Sequence, residues 1–132
     1  MTGPSPLLAL GDEQYALLTT TRRSGIDVRT PVWVARDGDA LLVTTVADAG
    51  KVKRIRHTPA VTLQACDRVG HPRDGAPIVA AQASVDDSAE ASARLDELFL
   101  DKYGAQFRAI RALGRVRGRS RSASVVVRIT EE

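Results

Sequence analysis

Four cations crowd into one short stretch of this chain, Lys51, Lys53, Arg54 and Arg56, shortly after the paired hydroxyls Thr44 and Thr45. Lysine and arginine beside hydroxyls make a natural receptor for a phosphate group, because charge-assisted hydrogen bonds to an oxyanion are about twice as strong as neutral ones. On a helix, residues three apart share a face, so Lys51 and Arg54 converge. A strand ending in Thr44-Thr45 just before that helix would deliver hydroxyls to the same anion. Basic helix faces also occur as plain solvated surface, so the neighbouring segments decide between the two.

Other chemistry is sparse. His57 and His71 are the only histidines, and neither has a partner at metal-ligand spacing. His57 ends the basic segment, where an imidazole meets the negative end of a helix dipole, and His71 sits in a loop beside Pro72. There is no GxSxG elbow, no HExxH and no glycine-rich phosphate loop. Asp86-Asp87 is explained by helix capping rather than by acid–base work. The single cysteine, Cys66, excludes an internal disulfide framework and reads as an inert buried thiol in a reducing compartment. If the chain is an enzyme, a bound cofactor carries the hard chemistry.

The elements that would position the basic stretch follow from periodicity. Ala40–Val46 is an apolar strand, Asp48 is a candidate helix cap, and Pro59 ends the helix. Ala60–Cys66 is a further apolar strand. Upstream, Leu7, Leu8 and Leu10 suit a short helix, and Tyr15–Thr21 is a threonine-rich strand. Ile26–Arg36 reads as one strand with Ile26, Val28, Thr30, Val32 and Val34 on one face. Pro31 cannot donate to a ladder, which predicts an edge or a bulge there. Asp37-Gly38 is a tight hairpin signal. Downstream come a turn-rich loop (67–76), an alanine-rich strand at Pro77–Val85, and a capping box at Asp87 and Glu90. A helix then buries Ala91, Leu95, Leu98 and Phe99 and stops at Gly104. Phe107, Ile110 and Leu113 continue a shorter helical pattern, an arginine loop follows, and Ala123–Thr130 is the last strand. About six strands in mostly hairpin connections predict one domain over 1–132, mainly β, a small closed or split antiparallel barrel with short helices.

The chain has a formal charge of +3, and its arginines are unevenly placed. Six lie between Gly104 and Ser124 with no acid among them: Arg108, Arg111, Arg115, Arg117, Arg119 and Arg121. No apolar run approaches the roughly 20 residues needed to span a bilayer, and the first residues lack signal-peptide character, so a cytoplasmic location with no membrane partner is expected. Aromatic residues are not interleaved with the arginines, which disfavours a nucleic-acid-binding module built on RVRGRSRS.

The run YALLTTTRRSGIDVRTPVWVARDGDALLVTTVADAGKVKRIRHTPAVTLQACDRVG resembles the flavin- and deazaflavin-binding split β-barrel family related to pyridoxamine 5'-phosphate oxidase. TPVW followed by KVKRIRHTP, and later DKYGAQFRAIRALGR, resemble its coenzyme F420-dependent reductase branch. The resemblance implies a homodimer with the cofactor in a groove between two barrels. It implies that Thr44, Thr45, Lys51 and Arg54 hold the cofactor phosphate, with Lys53 and Arg56 less firmly placed. It implies that Thr30, Pro31, Val32 and Trp33 lie along the tricyclic ring. The activity it implies is hydride transfer from reduced F420 to an electron-poor small molecule such as an enone, quinone or tetrapyrrole. Arg115, Arg117 and Arg119 would then either pair with the coenzyme's polyglutamate tail or form a plain solvated basic loop. The chain lacks the longer substrate-phosphate segment of true pyridoxamine phosphate oxidases and ends in VVVRITEE, which argues against a vitamin B6 phosphate substrate. The alternatives are FMN as cofactor, and a binding or storage protein without turnover.

Overall fold

The computed structural model of the protein describes residues 5–46, 49–109 and 124–131. A short helix α1 (Pro6–Ala9) and a 3-10 turn (Leu10–Asp12) lead into β1 (Tyr15–Thr21), β2 (Asp27–Trp33), β3 (Ala35–Asp37) and β4 (Ala40–Val46). Helix α2 (Gly50–His57), β5 (Ala60–Cys66), β6 (Val79–Asp86), helix α3 (Ala89–Tyr103) and β7 (Ser124–Glu131) complete the order. All strand pairings are antiparallel, in the order β2-β1-β5-β6-β7-β4-β3.

That order dictates the shape. β2 and β3 occupy opposite edges of the sheet, yet only Val34 separates them in the chain. The sheet must therefore curl until its two edges meet at Val34, which closes one end of the barrel and leaves the rest split. Strand alternation then divides the apolar residues into two sets. Leu18, Val34, Leu41, Val43, Leu63, Val127 and Ile129 fill the interior, plugged at its ends by Leu7 and Leu10 and by Ile55 of α2. Leu42 and Val126 point outward and are covered by Leu95, Phe99 and Tyr103 from α3 and by Phe107 from the helical residues 105–109 after it.

The seam at Val34 is clasped by the end of α3. The Tyr103 hydroxyl accepts from the Val34 N–H at 3.0 Å and faces the carbonyl of Gln14 at 2.7 Å. The Lys102 ammonium donates to the carbonyls of Gly11 at 2.7 Å and Glu13 at 2.6 Å, and also to that of Val34. Burial pushes the Tyr103 phenol up to about 12, and burial also lowers the Lys102 pKa, against the pull of Asp12 and Glu13.

Several expectations shift in detail. Ile26–Arg36 is two strands rather than one, so the sheet has seven strands where about six were expected. The break falls at Val34 and not at Pro31, where the register with β1 runs unbroken. Pro31 is accommodated because β2 is an edge strand. The alanine-rich strand starts at Val79 rather than Pro77. α3 is capped by Ser88, whose hydroxyl accepts from the Ala91 N–H at 3.1 Å, not by Asp87. Asp86 instead accepts from the Ser88 N–H at 3.0 Å. α2 starts after Ala49 with no side-chain cap, and Asp48 lies outside the described residues. Gly104 ends α3 at a φ of 56°, as expected of a glycine stop.

Candidate functional site

α2 is amphipathic in a way that sorts its cations. Val52 and Ile55 are almost fully buried, and Ile55 packs on the interior core of the barrel. Lys51 and Arg54 flank them half-buried, whereas Lys53 and Arg56 are exposed. The Lys51 ammonium donates to the Thr45 hydroxyl at 3.4 Å, and the Arg54 Nε donates to the Thr20 hydroxyl at 2.6 Å. Thr20 is 1% exposed, at the inward-facing end of β1 after Ala16 and Leu18. Gly50 makes room for the guanidinium, since a Cβ there would lie 2.8 Å from an Arg54 terminal nitrogen. Arg54 therefore lies over the first turn of α2, beside N-terminal amides that no side chain caps.

The electrostatics of this cluster are one-sided. Burial, then the Arg54 charge, lowers the Lys51 pKa; burial, then the Arg22 charge, lowers that of Arg54. Among the described residues no carboxylate forms an ion pair with Lys51, Arg54 or Arg22. Two converging cations with no carboxylate partner among the described residues, a third whose charge reaches Arg54, two hydroxyls and a helix start without a side-chain cap make an arrangement chemically suited to an oxyanion.

The residues expected at the site are partly brought together. Thr45, Lys51 and Arg54 converge. Thr44 belongs to the opposite face of β4, with Leu42, because alternate strand residues point to opposite sides. Lys53 is on the solvent side of α2. Along β2, Val32 packs on the interior core, so Thr30 shares its inward face while Pro31 and Trp33 point outward. Pro31 lies under the loop after β5, within contact range of Gly70. The Trp33 ring is stacked on Tyr103, with centroids 4.1 Å apart and planes 7° apart, so one indole face is already covered. Among the described residues β2 pairs only with β1, which leaves the backbone groups of its other edge without a strand partner there. Arg115, Arg117 and Arg119 lie outside the described residues. Thr20 and Arg22 were not anticipated; the only signal for Thr20 was a hydroxyl at an alternating core position.

Elsewhere, a cavity of about 330 Å³ opens between the first turn of α3 and the β3-β4-β7 side of the sheet. Its Asp37 is already paired with Arg94 at 3.2 Å and Arg128 at 3.8 Å, and neither Lys51 nor Arg54 borders it. Mutually neutralised charges make it a weaker candidate than α2. Cys66 is buried, and burial raises its thiol pKa, as an inert thiol requires. His71 pairs with Asp67 at 3.2 Å in an exposed loop. No group of metal-ligating side chains occurs among the described residues, and no helix there is long and apolar enough to cross a membrane.

No family model matches the chain, and no curated protein matches it by sequence. Solved structures do match. A Listeria innocua protein named for pyridoxamine 5'-phosphate oxidase is 18% identical, with a TM-score of 0.63 over 93% of this chain and 87% of its own. A protein named F420 reductase is 17% identical, with a TM-score of 0.60 over 98% of this chain and 96% of its own. A heme storage protein from Vibrio cholerae is 11% identical, with a TM-score of 0.68 over 91% of this chain and 82% of its own. At such identities the likeness is one of fold. Its bearers nonetheless agree with the barrel derived above: this chain has the split-barrel fold of the pyridoxamine 5'-phosphate oxidase-like proteins.

Proposed function

We propose that the protein is an oxidoreductase that binds the deazaflavin coenzyme F420 through its phosphate and passes hydride to an electron-poor small molecule. The observation that carries this is the half-buried pair Lys51 and Arg54, set on hydroxyls and lacking any carboxylate partner among the described residues. Holding two cations in that position costs stability unless an anion is bound there. The same fold in a protein named F420 reductase supports the choice of coenzyme.

In this reading Lys51, Arg54, Thr45 and Thr20 hold the phosphate, with Arg22 adding long-range attraction. Thr44, on the opposite face of β4, and Lys53, on the solvent side of α2, take no part in the cradle. Thr30, Pro31, Val32 and Trp33 supply the strand along which the tricyclic ring lies, Pro31 and Trp33 by side chain and the free edge of β2 by backbone. When bound, the reduced coenzyme supplies the hydride. The chain's own part is to fix orientation and keep water from the reacting face. Arg115, Arg117 and Arg119 are assigned to the coenzyme's anionic tail. A homodimer in the cytoplasm completes the proposal, because β5 and β6 present a small, exposed outer face (Ala60, Ala80, Gln82 and Ser84) that neither α2 nor α3 covers.

Binding without turnover is the second reading, favoured by the cradle's content: cations and hydroxyls, with no acid or base among its described members. Anaerobic incubation with reduced F420 and a panel of enones, quinones and tetrapyrroles separates the two. Loss of the reduced coenzyme that depends on acceptor supports the enzyme. Tight binding of F420 or FMN with no acceptor-dependent loss across the panel supports the carrier instead.

A further inference from the structure

The chain has three lysines, and the structure gives each a different environment. Lys53 is exposed. Lys102 is half-buried, but its ammonium is committed to the carbonyls of Gly11, Glu13 and Val34, and the charges of Asp12 and Glu13 act on it. Lys51 is half-buried with one long contact, 3.4 Å to the Thr45 hydroxyl, and no carboxylate partner among the described residues. One turn along the same face lies the Arg54 guanidinium, draped over Gly50 beside the uncapped start of α2. An amine without a strong partner among the described residues thus stands next to a seat for a phosphoryl group.

We propose that Lys51 is an acylation site whose reagent is an acyl phosphate, and that its acylation closes the anion cradle. The phosphoryl group docks against Arg54 and the α2 amides, which brings the acyl carbon to the Lys51 nitrogen. The free-base amine attacks that carbon. The N–C bond forms, the C–O bond to phosphorus breaks, inorganic phosphate leaves, and the proton lost by nitrogen passes to phosphate or solvent. No electrons are transferred and no other reactant is needed. Burial and the neighbouring Arg54 charge keep a larger share of Lys51 unprotonated than a free lysine has, which favours attack. The product is a neutral amide, so the cradle loses one of its cations and its long side chain becomes bulkier.

This regulation rests on the cofactor reading only for its consequence; the acylation itself needs only a cradle that binds phosphate. The test treats the purified protein with acetyl phosphate and, separately, with acetic anhydride, which carries no phosphoryl group. Acetylation at Lys51, Lys53 and Lys102 is then followed by peptide mass mapping. Acetyl phosphate is expected to label Lys51 about tenfold or more faster than Lys53, as docking raises the local concentration of reagent. Acetic anhydride should reverse or erase that preference. Inorganic phosphate and R54Q should each remove the Lys51 advantage while leaving Lys53 unchanged. Equal labelling of Lys51 and Lys53 by acetyl phosphate, or a Lys51 advantage that survives both phosphate and R54Q, would overturn the proposal. Selective labelling of Lys51 that leaves F420 and FMN binding intact would keep the acylation site and count against the cofactor reading instead.

Discussion

At the scale of single residues, Lys51 and Arg54 are not equivalent, although the sequence presents both as members of one basic helix face. Arg54 satisfies Thr20, a hydroxyl that is 1% exposed, whereas Lys51 makes only a long contact to Thr45. Arg54→Ala is therefore expected to lower stability by about 1 kcal/mol by orphaning that hydroxyl. Lys51→Ala should leave stability within about 0.5 kcal/mol of wild type or raise it slightly, measured by denaturant unfolding without ligand. The sign follows from the lowered pKa. The folded state binds the Lys51 proton more weakly than the unfolded chain does, so the ammonium disfavours folding until pH rises past its unfolded value. An anion relieves the same cost. Inorganic phosphate at ten times its Kd should stabilise the wild type by about 1.4 kcal/mol over chloride at matched ionic strength, and Lys51→Ala by much less. Equal shifts in both proteins would mean that the anion acts elsewhere. The lysine–arginine pair was legible in the sequence as an i, i+3 motif. Thr20 was not, because it lies 34 residues from Arg54 and only the closed barrel brings them together.

At the scale of elements, α3 does two jobs: it covers the outer face of β4 and β7, and it pins the seam at Val34. Phe99 is fully buried between Trp33, Tyr103 and Phe107, so Phe99→Ala is expected to cost about 3–5 kcal/mol. Tyr103 gives the clasp a pH signature. Its pKa is raised from an ordinary 10.0 to about 12, so the folded state favours the neutral phenol. That contribution is complete below about pH 10 and is lost as pH climbs towards 12, a fall of about 2–3 kcal/mol. Tyr103→Phe should be less stable at neutral pH, with the Val34 N–H left unpaired, and should lack the alkaline loss assigned to this phenol. Parallel alkaline profiles for the two proteins would show that the phenol does not carry it. The helix itself was legible from Ala91, Leu95, Leu98, Phe99 and Gly104. Its cap was off by one because Asp86, Asp87 and Ser88 are all capping types and β6 runs through Asp86. The clasp was hidden, since Val34 continues the alternation of Val28, Thr30 and Val32 and gives no local sign that the chain there changes strands.

At the scale of the whole molecule, the curled sheet explains why a basic helix becomes a candidate site. α2 plugs one end of the barrel with Ile55, and this holds Lys51 and Arg54 between β1 and β4, where water reaches them only in part. Barrel class was legible because alternation and turn residues mark the strands, whereas the count fell one short because nothing local to Val34 marks the break within Ile26–Arg36. The meeting of β2 and β3 edges was not, because it depends on pairing across the whole chain. The uncovered outer face of β5 and β6 leads to an expectation of a homodimer at micromolar concentration. Light scattering that reports the mass of one chain, with or without coenzyme, would contradict that. The central claim, that Lys51 and Arg54 seat a cofactor phosphate, is tested most directly by fluorescence titration of F420 and FMN into wild type, Lys51→Ala and Arg54→Ala. Each lost charge-assisted hydrogen bond is worth about 1.5–3 kcal/mol, so each variant should bind about tenfold to a hundredfold more weakly. Wild-type affinity in both variants would contradict the account.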